Sequence, residues 1–208
     1  MKKIVIAIDG PSASGKGTLA KKLARHFDLS YLNTGAIYRL IASRVIQYKI
    51  AIEQFENHLA NLVKDINEKD LDNEQLFSEE VGACASIIAK NKALRQAIFE
   101  FQRQFVERGK KEKKGCVLDG RDTTTVICPD ADYKFYVTAD VEIRAKRRHL
   151  QFPELNYEDI LQQLKNRDHN DINRAESPLQ IAKDAVIIDN GQLNVEQSFL
   201  KTLEHIKI

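Results

Sequence analysis

The nine residues "GPSASGKGT", Gly10 to Thr18, stand between the apolar run "KIVIAID" and the stretch "LAKKLARHF". Lys3 to Ile8 is continuous and rich in β-branched residues, which suits a strand buried on both faces of a parallel sheet. Beyond the glycines, Leu19, Leu23, Ala24 and Phe27 fall on one face of a helix. A buried strand, a glycine-rich turn and an amphipathic helix in immediate succession leave an α/β architecture as the natural outcome. Gly10, Gly15 and Gly17 permit left-handed dihedrals and close backbone approach, so the segment Gly10, Pro11, Ser12, Ala13, Ser14, Gly15, Lys16, Gly17 and Thr18 can wrap a polyphosphate. The following helix adds the positive end of its dipole, and Lys16 adds a mobile charge for the β- and γ-phosphates. An ordinary strand-to-helix turn would share this composition. The coincidence of strand, loop and helix favours the phosphate cradle.

The rest of the chain repeats the pattern. "SYLN" reads as a short extended piece before a helix from about Thr34, Cys116–Leu118 and "DYKFYVTAD" as buried strands, and Ala185–Asp189 as a last strand. Asp140 is placed to cap the helix "VEIRAKRRHLQ", and Pro153 in "FPELN" separates it from "YEDILQQLKNRDHND". A final helix begins near Asn194, and residues 52 to 109 read as mostly helical around the polar link "DINEKDLDNEQ". The expectation is a parallel sheet, five-stranded on this count, covered by helices on both faces, with ligands at the carboxyl ends of its strands. A length of 208 residues suits one domain, and a net charge of +2 without a basic stripe gives no footprint for a nucleic-acid polymer. No stretch is apolar over the length a membrane helix needs. Cys84, Cys116 and Cys128 lack metal-ligand spacing and read as reduced thiols of a cytoplasmic protein.

The hydroxyl of the loop comes one residue late. In Gly-x-x-x-x-Gly-Lys-[Ser/Thr] the residue after lysine offers its oxygen to Mg²⁺; Gly17 stands there, and Thr18 lies about 100° further round the helix. "GKGT" resembles the phosphate loop of nucleoside monophosphate kinases. A guanine-reading switch protein would need Asn-Lys-x-Asp, whereas "NKAL" at Asn91 has no aspartate. An anionic acceptor needs arginines converging on the same cleft. "TGAIYR" (Thr34 to Arg39) and "LDGRDTTTV" (Leu118 to Val126) supply them at the ends of the second and third extended segments.

"GPSASGKGT", "YLNTGAIYR", "LDGRDTTTVICPDADYKFYVTAD", "IRAKRR" and "NRDHNDINRAESPL", in this order, resemble the bacterial cytidylate kinases of the nucleoside monophosphate kinase superfamily. The resemblance implies a P-loop kinase fold in one domain spanning 1–208, an acceptor-binding insert over about 36–110 and a short lid with its tip at about 149–156; the short polar link "KDINEKDLDNEQLFSEE" departs from the family and makes the expected insert reduced and mainly helical. It implies that Thr34, Arg95 and Asp122 read the cytosine ring and that Arg39 and Arg121 hold the acceptor phosphate. Arg167, Asp171 and Arg174 would address sugar and phosphate, Lys16, Arg121 and Arg167 would be catalytic, and Arg144, Arg147 and Arg148 would border the lid and ATP. Thr123 and Thr124 stand where the family commonly has an apolar residue and a glycine. Read without the family, the arginines of "IRAKRR" also fit a solvated helix face, and Arg167, Asp171 and Arg174 an intrahelical ion-pair ladder. Asp119 fits either an outer-sphere Mg²⁺ ligand or a turn residue. Asp122 has its own rationale: a carboxylate accepts from the exocyclic amine of cytosine and meets an acceptor oxygen in uracil. The expected reaction is phosphoryl transfer from MgATP to CMP or dCMP by a monomer.

Overall fold

The computed structural model describes residues 3–207. Along the chain run β1 (Ile4–Asp9), α1 (Lys16–Phe27), β2 (Ser30–Asn33), α2 (Thr34–Gln47), α3 (Leu59–Val63), α4 (Glu79–Ile88), α5 (Lys92–Glu112) and β3 (Gly115–Gly120). They are followed by β4 (Tyr133–Thr138), α6 (Val141–Gln151), α7 (Tyr157–Asn173), β5 (Val186–Asp189) and α8 (Val195–Leu203). The five strands form one sheet in the order β2-β3-β1-β4-β5, with every neighbouring pair parallel.

The continuous apolar character of β1 is explained by its place at the centre, where all six residues are buried. Successive side chains of a strand point to opposite faces. Ile4, Ile6 and Ile8 accordingly pack with Leu19 and Leu23 of α1 and Phe199 of α8. Val5 and Ala7 belong to the other layer, with Ile37 and Ile41 of α2, Ile88 of α4 and Phe105 of α5. At fully buried Ile6, truncation to alanine costs about 3 kcal/mol, the usual sum of lost transfer energy and cavity.

The polar stretch between α2 and α5 folds without a strand: among the described residues, none from 34 to 114 pairs into a sheet. The polar link is built from tight 3₁₀ turns at Glu68–Asp72 and Glu74–Phe77. Asn67 and Asn73 start these turns by accepting from the amides of Lys69 and Gln75, which is how asparagine competes for the backbone locally. Asp140 caps α6 as expected, accepting from Glu142 N at 2.8 Å.

β3 is longer than the Cys116–Leu118 expected from its apolar core, because pairing with β1 continues through Asp119 and Gly120. After it, Thr123–Ile127 forms a single π-helical turn. The registers Asp9↔Gly120, Asn33↔Asp119 and Thr138↔Asp189 bring the carboxyl ends of all five strands to one edge. Over that edge the loops open into a cleft, as they do in open α/β sheets.

Candidate active site

α1 starts directly from the glycine loop, with Gly15 as its left-handed N-cap (φ 89°). Lys16 Nζ folds back to donate to Pro11 O at 3.0 Å. Burial, aided by Arg121 and Arg167, pulls its pKa down to about 7, against a partial pull upward from Asp119 and Asp171. Such a lysine is a charge lacking a counter-ion, which a polyphosphate supplies. Burial pushes the Asp119 carboxyl up, opposed by Lys16 and by the Tyr31 hydroxyl, which donates to Oδ1 at 2.9 Å.

The position after the lysine is where these groups close in. A Cβ on Gly17 would lie 3.4 Å from Asp119 Oδ2 and 3.7 Å from Tyr31 Oη. These are ordinary contact distances, so Gly17 borders the carboxylate, and the hydroxyl-bearing residue follows as Thr18. Ala13 to Thr18 line a cavity of about 760 Å³ with Arg148 and the loop after β5, from Asn190 to Val195. Ser12 opens on the adjoining cleft instead. Gly10 and Pro11 lie beneath the loop, Gly10 against Val137 and Pro11 under Lys16.

The adjoining cleft, about 220 Å³, shares Lys16, Asn33, Asp119 and Arg148 with the first. One end is a hydrogen-bonding surface. Thr34 Oγ1 donates to Asp119 O at 2.9 Å, and Arg95 Nη1 donates to Tyr38 Oη at 2.8 Å while standing 3.3 Å from Asp122 Oδ2. Arg95 Nε is buried with no hydrogen-bond partner. Burial raises the Asp122 pKa, with Arg95 and Arg174 opposing, so the carboxylate is held beside cations in a dry wall. Gly120 lets β3 end there: a Cβ would fall 2.2 Å from Thr34 Oγ1 and 2.9 Å from Thr123 Cγ2.

The other end is cationic. Arg39 rises from α2 and is fixed by Leu76 O at 2.7 Å and the Phe77 ring at 5.4 Å. Burial and the repulsion of Arg167, Arg148 and Arg121 pull Arg39 down to about 9; burial and Arg121 pull Arg167 down to about 10. Arginine keeps its proton at neutral pH, so buried positive charge is gathered at this end of the cleft. Arg121 differs. Burial works against its charge, but Asp171, accepting from Nε at 2.6 Å, outweighs burial and raises its pKa. Asp171 is correspondingly lowered by Arg121 against the effect of burial. Arg174 lies 3.8 Å from Asp171 and donates through Nε to Ser177 O at 2.8 Å.

Thr34, Arg39, Arg95, Arg121, Asp122, Arg167, Asp171 and Arg174 all line this cleft. Arg167, Asp171 and Arg174 are therefore more than a surface ladder: Asp171 is bonded across the cleft to Arg121 on β3's loop. Arg144 departs from the expected position beside ATP. It is buried, and its guanidinium is engaged by Ala139 O (2.8 Å), Ser12 O (3.2 Å) and Asp168 Oδ2 (2.6 Å), so it braces the glycine loop from behind. That burial equally excludes the solvated helix face as its setting. Arg147 donates to Asn190 O at 2.6 Å.

Residues missed in the sequence are Tyr31, Tyr38 and Asn190. Asn190 Nδ2 donates to Ser14 O at 3.0 Å, tying the loop after β5 to the glycine loop. Its signal was present as "DNG" at the carboxyl end of the last strand, where a parallel sheet presents ligand-binding loops.

Residues 6–208 match the family model described as Cytidylate kinase. Cytidylate kinase of Bartonella tribocorum is 44% identical over 203 residues, 96% of this chain and 92% of that protein. Cytidylate kinase of Bradyrhizobium sp. is 40% identical over 208 residues, 98% of this chain and 96% of that protein. Among solved structures, an uncharacterized protein from Eubacterium ventriosum superposes with a TM-score of 0.59 at 17% identity, covering 99% of this chain and 98% of its own. At that identity the superposition speaks for the fold alone. With a family model matched over nearly its whole length, and with relatives of this identity and coverage, the chain belongs to the cytidylate kinase family.

Proposed function

We propose that the protein transfers the γ-phosphoryl group of MgATP to the phosphate of CMP or dCMP, giving ADP and CDP or dCDP. One observation carries this reading beyond family membership. A single cleft joins a phosphate loop and converging arginines at one end to the buried Arg95–Asp122 pair at the other. An anionic group attached to a hydrogen-bonding base matches both ends.

In this reading Ala13 to Thr18 wrap the ATP phosphates, Arg148 borders them, and Arg144 and Ser12 hold the loop in shape. Arg39 and Arg121 bind the acceptor phosphate, and Arg167 bridges towards the transferred group. Asp171 and Arg174 set the sugar and phosphate end. Asp122, Arg95 and Thr34 read cytosine, with Asp122 accepting from the exocyclic amine. The attacking oxygen is already ionised, so no general base is needed. Rate then comes from in-line positioning and from cancelling charge with Lys16 and the arginines.

Mg²⁺ fits as a companion of the nucleotide. Among the described residues no group of three or more His, Cys, Asp or Glu could hold a metal, yet Asp119 faces the cavity with Lys16, Gly17 and Thr18. Mg²⁺ is commonly held by one or two protein oxygens, waters and substrate phosphates. Asp119 would take a water of the ion, and the ion would supply further neutralisation of phosphate charge.

The end of α6 and its connection to α7, residues 149–156, act as the lid tip that keeps water from competing as acceptor. The protein works as a monomer in the cytoplasm, without nucleic-acid or membrane partners. Among the described residues no helix is long and apolar enough to cross a membrane. ADP release measured with CMP, dCMP, UMP, AMP and shikimate tests the proposal: turnover with CMP and dCMP well above the others is expected. Equal turnover of UMP would remove the role given to Asp122, and CMP-independent ATP hydrolysis would overturn the reaction.

A further inference from the structure

Asp9 is the last residue of β1, immediately before Gly10, and is fully buried. Both of its carboxylate oxygens are taken by the π-helical turn of residues 123–127. Oδ1 accepts from Thr123 N at 2.8 Å and Thr123 Oγ1 at 2.7 Å, and Oδ2 from Thr124 N at 2.8 Å and Thr124 Oγ1 at 2.6 Å. Thr123 and Thr124 are themselves almost wholly buried. Hydrogen bonds must replace the hydration that burial takes from a carboxylate. Four donors from two adjacent residues do so in a geometry that two side chains alone could not fix.

The placement of this clamp matters more than its strength. On one side it is covalently continuous with the phosphate loop. On the other it ends one residue from Asp122 and two from Arg121, the groups that face the acceptor in the cleft. The turn has no long helix to hold it: Val126 N and Ile127 N bond to Asp122 O, and Cys128 N to Thr123 O. The side chain of Asp9 thus extends, beyond the Asp9↔Gly120 end of the β1–β3 pairing, a hydrogen-bonded tie from the start of the donor loop to the acceptor-facing turn.

We propose that Asp9, through the hydroxyls of Thr123 and Thr124, is a positioning residue that sets Asp122 and Arg121 relative to the phosphate loop, and thereby sets acceptor selectivity. The inference rests on the function proposed above. Its consequence is selective: loosening the clamp disturbs the acceptor's placement, while the ATP side keeps the Lys16, Arg144 and Asn190 contacts on its loop.

The test uses the double variant T123V/T124V, which removes both hydroxyl donors and keeps side-chain volume and backbone N–H groups, beside T123S/T124S, which keeps the hydroxyls. For the valine variant, kcat/KM for CMP is expected to fall about tenfold and the CMP-to-UMP ratio by a similar factor, with the KM for ATP within about twofold of wild type. The serine variant is expected to restore both acceptor parameters. D9N places an amide donor against threonine donors and is expected to lose about 100-fold in kcat/KM for CMP. A folded valine variant with wild-type kcat/KM and discrimination overturns the inference. So does a serine variant as impaired as the valine one, or equal loss towards ATP and CMP. A wild-type enzyme that phosphorylates no CMP refutes instead the function on which the inference rests, and is seen before any variant is compared.

Discussion

The two halves of the cleft are built by opposite means. The donor half comes from one short run of chain, Ala13 to Thr18, closed by the loop after β5. The acceptor half has almost no local sequence: Thr34 and Arg39 come from α2, Arg95 from α5, Arg121 and Asp122 from beyond β3, and Arg167 and Asp171 from α7. A backbone cradle responds to phosphate wherever it occurs, whereas side chains gathered from four elements can distinguish one base from another. Substitutions in the donor half should therefore act alike on every acceptor. Those in the acceptor half should separate one acceptor from the next.

The largest effect is expected at Lys16. Lys16→Met should lower kcat by about 10³-fold with CMP, dCMP and UMP in parallel, because the lost charge serves the transferred phosphoryl group. Steady-state rates with the three acceptors check this, and unequal losses would break the separation of the halves. Next comes Asp122→Asn, whose amide can donate where the carboxylate accepted. We expect kcat/KM for CMP to fall about 100-fold and that for UMP to change less than about tenfold, with the KM for ATP unmoved. The smallest effect is expected at Asn190→Ala, which removes the 3.0 Å bond to Ser14 O. The KM for ATP should rise about fivefold, the scale of one neutral hydrogen bond, and the CMP-to-UMP ratio should stay fixed.

The same contrast explains what could be read from the sequence. The glycine loop, the buried β1 and the amphipathic α1 are local, so periodicity and motif located them to within a residue or two. Thr34, Arg39 and Arg121 follow extended segments and Asp122 has a chemical rationale, but Arg95 was reached only by family resemblance, since nothing near it in the chain announces that it meets Asp122. Where the sequence reading departed from the structure, a long-range contact was responsible. Arg144 was assigned to ATP, but Ser12 O and Asp168 draw it inwards. Tyr38 sits inside an ordinary helical pattern, and only the fold brings Arg95 to its hydroxyl. Asp9 was given no role, because both its partners lie beyond β3. The late hydroxyl, a departure from the strict motif, leaves Gly17 beside Asp119 and Tyr31, where a Cβ would make ordinary contact with both.

The central position of β1 also sets a schedule. Ile4–Asp9 pairs with Gly115–Gly120 on one side and with Tyr133–Tyr136 on the other. For more than half of synthesis this apolar segment therefore has no strand to join. Pairings so distant in sequence form slowly, and an unpaired apolar strand is exposed to association with other chains meanwhile. Nucleotide has little to grip during that interval, because beyond the Lys16–Pro11 bond the loop is braced by parts of the chain made later: Arg144, Asn190 and the two threonines. ATP can act as a stabiliser of the finished enzyme but not as a template for the nascent one.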